Sequence, residues 1–146
     1  MNTSVVPSKI HLGIYGICAQ NGKVLMIRKG RGPYKGSLDL PGGKIEPGET
    51  FAEALHREFD EETGAKVLGH KPLCVSEYQC QWTSEDEKKA FHHVALYDTV
   101  ELDATNLKQG PDGHDSEGAQ WVVAPLSATD VAPIAHDALR LVGLLT

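Results

Sequence analysis

Three glutamates and an arginine lie close together between positions 43 and 65, where the sequence reads GKIEPGETFAEALHREFDEETGA. Glu58 and Glu62 are four residues apart, so on a helix they lie on one side, and Glu61 borders that side. The same side carries apolar residues that should pack against the rest of the protein. Because a buried unpaired carboxylate costs several kcal/mol and like charges repel, this arrangement needs a cation.

The types of candidate ligand in this segment favour a hard divalent cation. Carboxylates without an accompanying histidine or cysteine suit Mg²⁺ or Mn²⁺ better than zinc. Mg²⁺ also shares its coordination sphere between carboxylates, water and substrate phosphates. The pattern therefore predicts Mg²⁺ or Mn²⁺ as cofactor. The alternative is that Asp60, Glu61 and Glu62 form a charged solvent-exposed face, as most acidic runs on helices do.

The complete spacing of the segment favours the metal site, because residues 43–65 resemble a complete Nudix box. The matched positions are Gly43, Glu49, Arg57, Glu58, Glu61, Glu62 and Gly64, with apolar Phe59 and Ala65. The resemblance implies an α/β/α sandwich in which the box forms a loop, a helix and a second loop. It also implies a hydrolase that cuts a phosphoanhydride in a nucleoside diphosphate linked to another moiety.

The resemblance further implies roles for individual residues. Glu58 and Glu62 become the principal metal ligands, with Glu61 and the Gly43 carbonyl as further ligands. Glu49 becomes a ligand or the general base, and Glu61 is the other candidate base. The implied reaction is attack of water on phosphorus, with metal ions neutralising the diphosphate and a glutamate accepting a proton.

Two further site assignments are less direct. Arg57 precedes Glu61 by four residues and can orient a catalytic carboxylate with its planar guanidinium, although a plain surface salt bridge is the alternative. In some family members a glutamate just before a late strand completes the metal site, and Gln120 stands there in this chain. The candidates for the fourth ligand or base are then His114, Asp115 and Glu117, with an ordinary solvated loop as the alternative.

A basic cluster precedes the box in a chain of formal charge -6. Its members are Arg28, Lys29, Arg31 and Lys35. They predict contacts with substrate phosphates, with Arg28 and Lys35 as the substrate-binding residues to test. Tyr34, in the same loop, is a candidate for stacking on a base or lining the pocket. His92 and His93 are adjacent in a predicted strand, so at most one of them faces the pocket.

The elements that position these residues follow from periodicity and turn residues. Strands are predicted over residues 10–19, 23–29, 38–40, 67–82, 90–102 and 119–123, with polar connections over 83–89 and 103–118. Thr50 and Glu53 form a capping box and Gly64 supplies a stop, so a helix is predicted over residues 50–63. Trp82 and Trp121 are expected in the core or on a sheet face.

The order of these elements predicts an α/β (α+β) fold in one domain, residues 5–146. A mixed β-sheet should carry the box helix and a C-terminal helix, for which the apolar spacing over residues 134–145 is the signal. The length of 146 residues and the 40% of hydrophobic residues are typical of one globular domain.

Composition also bounds location and partners. No apolar run approaches the roughly 18 residues of a membrane-spanning helix, and no signal-peptide pattern opens the chain, so we expect a cytoplasmic protein without a membrane partner. The negative charge argues against binding a nucleic-acid backbone. Three cysteines without a C-x-x-C pair suggest neither disulfides nor a thiolate zinc site. The expected partner is a small-molecule nucleotide substrate, and a homodimer stays open.

The substrate is the least determined feature. Residues 78–82 (YQCQW) carry no clear signature of the Nudix groups that act on ADP-ribose or on dinucleoside polyphosphates. The first expectation is a (d)NTP-like substrate giving a nucleoside monophosphate and pyrophosphate. A nucleotide-sugar or ADP-ribose pyrophosphatase is the alternative, and so is a Nudix-fold module that binds a ligand without chemistry.

Overall fold

The computed structural model describes residues 5–108 and 116–146, and the side chains of Ser116 and Glu117 lie outside the described part. The strands are β1 (His11–Ile17), β2 (Ala19–Gln20), β3 (Lys23–Lys29), β4 (Leu38–Asp39), β5 (Gly42–Lys44), β6 (Lys66–Ser84), β7 (Glu87–Asp103) and β8 (Ser116–Val123). The α-helices are α1 (Phe51–Thr63) and α2 (His136–Leu141), and two short 3₁₀ turns precede α2. Within the described ranges no helix has the length and apolar character needed to cross a membrane.

The strands form two sheets. The first has the order β5-β1-β7-β6, in which β1 runs parallel to β7 and the other pairs are antiparallel. In the second sheet, β3 pairs antiparallel with each of β2, β4 and β8. A mixed sheet was therefore expected correctly, but the continuous strand over residues 10–19 was wrong. Its first part joins the first sheet, and its end pairs with β3 across the Asn21-Gly22 turn, where both φ angles are positive.

A long hairpin of β6 and β7 dominates the first sheet. Its turn consists of Glu85 and Asp86, both with positive φ, so most of the polar connection expected over residues 83–89 belongs to the strands. The pairing of β1 with β7 begins at His11 and His93. Residues 87–92 of β7 therefore extend beyond β1 and pair with β6 alone.

Helices cover both faces of this sheet, which confirms the sandwich. Side chains alternate along β1, so Ile14 and Tyr15 enter different cores. Ile14 packs in a buried cluster with Phe59 of α1. Tyr15 packs in a second cluster with Tyr97 and with Leu139 of α2.

The ends of α1 follow the capping signals in the sequence. The Glu53 N–H donates to Thr50 Oγ1 at 3.1 Å, and the Thr50 N–H donates to Glu53 Oε1 at 3.0 Å. Gly64 takes a left-handed φ of 76° and its N–H donates to the carbonyls of Phe59 and Asp60. The helix begins at Phe51, because Thr50 is the extended N-cap residue.

The C-terminal helix is shorter than its apolar spacing indicated. The expected helix over residues 134–145 is replaced by a 3₁₀ turn (Pro133–Ala135) and the six-residue α2. Gly143 has a φ of 75°, which ends the helical path, and Leu145 then forms a β-bridge with Leu126. Tertiary pairing of the last residues overrides their helical periodicity.

We predict that Gly16→Ala destabilises the protein by about 1–3 kcal/mol, because its Cβ would overpack a filled core. That atom would lie 2.7 Å from Phe59 Cζ and 2.8 Å from Val100 Cγ1. Gly69→Ala is the matched control, since its nearest neighbour would be Glu101 Oε2 at 3.8 Å. Urea unfolding measures both changes. Equal stability of the two variants would show that α1 does not pack this closely on β1.

Candidate active site

A cleft of about 630 Å³ is lined by residues of α1, of the strands β5, β1, β7 and β6, and of the loop before β4. Its acidic end is formed by Glu58, Glu61 and Glu62 beside Gly42 and Gly43. Its aromatic end is formed by His11, Tyr15, Tyr34, Trp82, Phe91 and His93. The two ends meet at β1, where Tyr15 of the aromatic end pairs with Gly42 of the acidic end.

Arg57 organises the acidic end. Its Nε and Nη2 donate to the two carboxylate oxygens of Glu49, each at 2.7 Å, which is a bidentate pair. The hydrogen bonds from Arg57 are the main reason that the pKa of Glu49 falls to about 2. Arg57 Nη1 also donates to Glu58 Oε1 at 2.8 Å and to Glu61 Oε2 at 3.3 Å. The guanidinium thus contacts three of the box glutamates at once.

Two glycines of β5 allow the acidic side chains to approach the backbone. The Gly42 N–H donates to Glu62 Oε1 at 3.0 Å, and Glu62 is only 5% exposed. A Cβ on Gly43 would lie 2.5 Å from the carboxylate carbon of Glu58. A side chain at either glycine position would therefore displace a carboxylate or the strand that faces it.

The donor set of the acidic end fits a hard divalent cation, since it offers three carboxylates and the nearby Gly43 carbonyl. In this conformation, no three His, Cys, Asp or Glu side chains among the described residues are arranged to hold a metal ion. Arg57 hydrogen-bonds Glu58 and Glu61 instead. Each carboxylate has two oxygens, so accepting from Arg57 through one of them does not exclude coordination of a metal ion through the other, and the metal-ligand roles stay predictions.

Two members of the basic cluster, Lys29 and Arg31, line the cleft. They are not the two members, Arg28 and Lys35, that were predicted from the sequence to bind substrate. Arg28 donates from Nη1 to the Gly36 carbonyl at 2.7 Å, and neither Arg28 nor Lys35 lines the cleft. The cations that line it, apart from Arg57, are Lys29, Arg31, Lys44 and Lys89. Lys44 directly follows the first box glycine and could have been identified from that position. Lys89 required the hairpin register, which places it opposite Trp82.

His93 is the buried polar centre of the aromatic end. It is 2% exposed, and its Nε2 and Nδ1 lie 2.7 Å from the Tyr15 hydroxyl and 3.0 Å from the Tyr34 hydroxyl. Burial, followed by the nearby His11 and Lys29, lowers the pKa of His93 to about 3. His92 points to the other face and contacts Glu77 at 2.6 Å. This confirms that the two histidines are separated.

Tyr34 and Trp82 both line the cleft. Tyr34 is 5% exposed although it lies in a glycine-rich loop, and it lines the cleft. Burial raises the pKa of its hydroxyl above the usual range, so the hydroxyl stays protonated. Trp82 lines the cleft from β6, with its ring 6.1 Å from that of Phe91. Trp121 packs against the buried cluster under α1, as expected.

The loop that follows β7 is attached to the end of α1. The Lys108 N–H donates to the Thr63 carbonyl, and Lys108 Nζ donates to the Glu61 carbonyl at 3.0 Å. The described part of the chain therefore reaches the C-terminal turn of α1 at residue 108. His114 and Asp115, and the side chain of Glu117, lie outside the described residues, so a fourth ligand from this loop stays a prediction.

A family model described as the NUDIX domain matches residues 7–141 of this chain. The chain belongs to the Nudix family. It is 31% identical over 129 residues to an ADP-ribose pyrophosphatase of Methanocaldococcus jannaschii, covering 88% of this chain and 73% of the relative. It is also 32% identical over 126 residues to the human 8-oxo-dGDP phosphatase NUDT18, covering 86% of this chain but only 35% of the longer relative.

Solved Nudix structures share the fold. A MutT NUDIX hydrolase from Burkholderia pseudomallei superposes with a TM-score of 0.68 at 23% identity, covering 95% of this chain and all of the other. The NUDIX domain of Shewanella oneidensis NrtR, solved with ADP ribose, gives a TM-score of 0.59 at 16% identity, covering 80% and 74% of the two chains. With the family established, the protein is a Nudix hydrolase acting on nucleotide derivatives.

We predict that His93 makes this Nudix hydrolase lose stability as pH falls below 6.5. From there down to about pH 3 the unfolded chain binds a proton on this histidine that the folded chain does not. Between pH 7 and pH 5 the free energy of unfolding should fall about 2 kcal/mol more for wild type than for His93→Gln. Urea unfolding at both pH values measures the difference. Identical pH dependence would show that His93 is protonated in the folded protein.

Proposed function

We propose that this Nudix hydrolase acts on a nucleoside triphosphate or a close derivative, releasing a nucleoside monophosphate and pyrophosphate. The observation that carries the proposal is the presence of both ends in one cleft. The acidic end suits metal-bound phosphates and the aromatic end suits a flat base. A nucleotide can contact both ends, because its base and its phosphates lie at opposite ends of the molecule.

The charge of the cleft favours a triphosphate over a simple diphosphate bridge. Lys29, Arg31, Lys44 and Lys89 line the cleft in addition to Arg57. A diphosphate bridge carries about two negative charges, and a triphosphate chain carries about four. Since Arg57 already pairs with carboxylates, the other four cations are the groups that would hold phosphates away from the metal.

The residues of the acidic end divide into binding and proton-accepting roles. A divalent cation bound by Glu58, Glu61, Glu62 and the Gly43 carbonyl would neutralise phosphate oxygens and lower the pKa of a water molecule. Glu49 is a poor general base, because both of its oxygens accept from Arg57 and its pKa is about 2. Glu61 is the better candidate, since its side chain is 52% exposed and its contact with Arg57 is 3.3 Å long.

A second candidate substrate is ADP-ribose or a nucleotide sugar. The relative from Methanocaldococcus jannaschii is named an ADP-ribose pyrophosphatase, and this chain covers 73% of it. The aromatic and acidic ends would then hold the adenosine and the diphosphate. The cations would face the second sugar phosphate instead of a terminal phosphate. The products would be AMP and ribose 5-phosphate.

We predict that Glu62→Gln and Glu61→Gln each lower kcat by roughly 100-fold or more, because each removes a charged metal ligand and the second also removes the base. A glutamine at position 62 can still accept from the Gly42 N–H, so the fold should survive. Asp60→Asn is the matched control, because this carboxylate lies on α1 and pairs with Lys66 outside the cleft. Circular dichroism should accompany the rates, and wild-type turnover in Glu62→Gln would contradict the assignment.

We predict that hydrolysis requires Mg²⁺ or Mn²⁺, stops in excess chelator and returns when either ion is added, because the acidic end otherwise repels the substrate phosphates. The assay should compare nucleoside triphosphates with ADP-ribose and UDP-glucose, with chromatography of the products. A kcat/KM at least tenfold higher for a triphosphate supports the proposal. A preference for ADP-ribose would establish the second candidate. Binding of nucleotides without turnover in any metal would favour a ligand-binding module.

A further inference from the structure

Tyr15, His93 and Tyr34 form a continuous hydrogen-bonded chain in the wall of the aromatic end. The imidazole lies between the two hydroxyls, at 2.7 Å and 3.0 Å, and all three side chains are at most 6% exposed. All three also line the cleft. The metal and proton-transfer roles proposed above use none of them. Three buried polar side chains that are bonded to one another at a cleft surface need another explanation.

The chemistry of these three hydrogen-bonded side chains determines which hydrogen bonds they can make with a ligand. A neutral imidazole has one N–H and one lone pair, so one tyrosine hydroxyl must donate to His93 and the other must accept from it. A tyrosine that accepts from the imidazole uses its own hydroxyl proton as a donor elsewhere, and a tyrosine that donates to the imidazole acts elsewhere as an acceptor. The low pKa of His93 keeps the imidazole neutral at physiological pH. The chain therefore presents one donor and one acceptor, and the tautomer of His93 decides which tyrosine is which.

We propose that the Tyr15–His93–Tyr34 chain determines substrate specificity by hydrogen bonding to the polar groups of the nucleobase. This inference rests on the proposed function, because it requires a nucleotide whose base lies in the aromatic end. A nucleobase edge carries both donors and acceptors, which a neutral chain of this kind complements and a charged side chain would not.

The rings around the chain place a base next to it. Phe91 lies 5.1 Å from the His93 ring centroid and 5.9 Å from that of Tyr34, and Trp82 packs edge-on to Phe91. Phe91 and His93 are two residues apart on β7, so both side chains point to the same face. A base that stacks on these flat apolar surfaces brings its polar edge to the hydroxyls.

Gly13 is required for the position of Tyr15. The Tyr15 ring lies back along β1, and a Cβ on Gly13 would come within 2.7 Å of Tyr15 Cζ and closer still to the hydroxyl. The backbone of Gly13 has no positive φ, so steric access is the reason for glycine here. Gly13→Ala should therefore displace the Tyr15 hydroxyl from His93. Gly13 acts as a positioning residue that does not itself hydrogen-bond the base.

The experiment measures kcat/KM for ATP, GTP, ITP and purine riboside triphosphate, which differ only in the polar groups of the base. In wild type, the best of the first three should exceed purine riboside triphosphate by about three- to tenfold. Tyr15→Phe, Tyr34→Phe and Gly13→Ala should reduce this preference to less than about twofold. A structural role would lower all four rates alike and leave the preference unchanged. Tyr78→Phe is the control, since both ring nitrogens of His93 are already engaged by the other two hydroxyls.

Calorimetric binding of ADP, GDP and IDP separates this inference from the proposed function. Binding preferences that change in Tyr15→Phe and Tyr34→Phe would support base recognition. If no nucleotide is hydrolysed in the same experiments, the proposed hydrolysis is contradicted but base recognition is not. Hydrolysis with identical base preferences in wild type, Tyr15→Phe, Tyr34→Phe and Tyr78→Phe would overturn base recognition and leave hydrolysis standing. Failure of wild type to bind any nucleotide would also overturn base recognition.

Discussion

The crowding of carboxylates on one side of α1 is the constraint around which the acidic end is built. Glu58 and Glu62 lie on a helix face that packs against β5, where an isolated carboxylate would be strongly disfavoured. Arg57 offsets part of the negative charge from its place on the same helix, through a bidentate bond to Glu49 and a further bond to Glu58. Gly43 on β5 leaves room for the Glu58 carboxylate, and the Gly42 N–H bonds Glu62 directly.

The same constraint explains how α1 is held. Its N-terminus is fixed by the capping box, but its last turn contains no basic residue. Lys108, which is 47 residues from Glu61 in the chain, supplies that charge by donating to the Glu61 carbonyl. A cation at a helix C-terminus is favourable, because the unpaired carbonyls there carry partial negative charge. A helix with several carboxylates in its last two turns gains more from this contact than a neutral helix would.

Local signals in the sequence were enough for α1, for most strands and for the separation of His92 from His93. They depend on caps, turns and a period of two, all of which act over a few residues. They failed where distant pairing decides the structure. The last residues leave their helical pattern because Leu145 pairs with Leu126. Tyr34 is buried because its hydroxyl meets His93, 59 residues away, and no local pattern encodes that contact.

The two ends of the cleft differ in how the polypeptide assembles them. The acidic end comes from one short segment, residues 42–62, so the residues for the chemistry can be retained together. The aromatic end is assembled from β1, the loop before β4, β6 and β7, with contacts such as that of Tyr15 with His93, 78 residues apart. A single substitution there can alter the aromatic end without touching the box carboxylates. Relatives named for ADP-ribose and for 8-oxo-dGDP are about equally similar to this chain. The box therefore identifies the reaction, and the substrate has to be sought in the long-range contacts of the aromatic end.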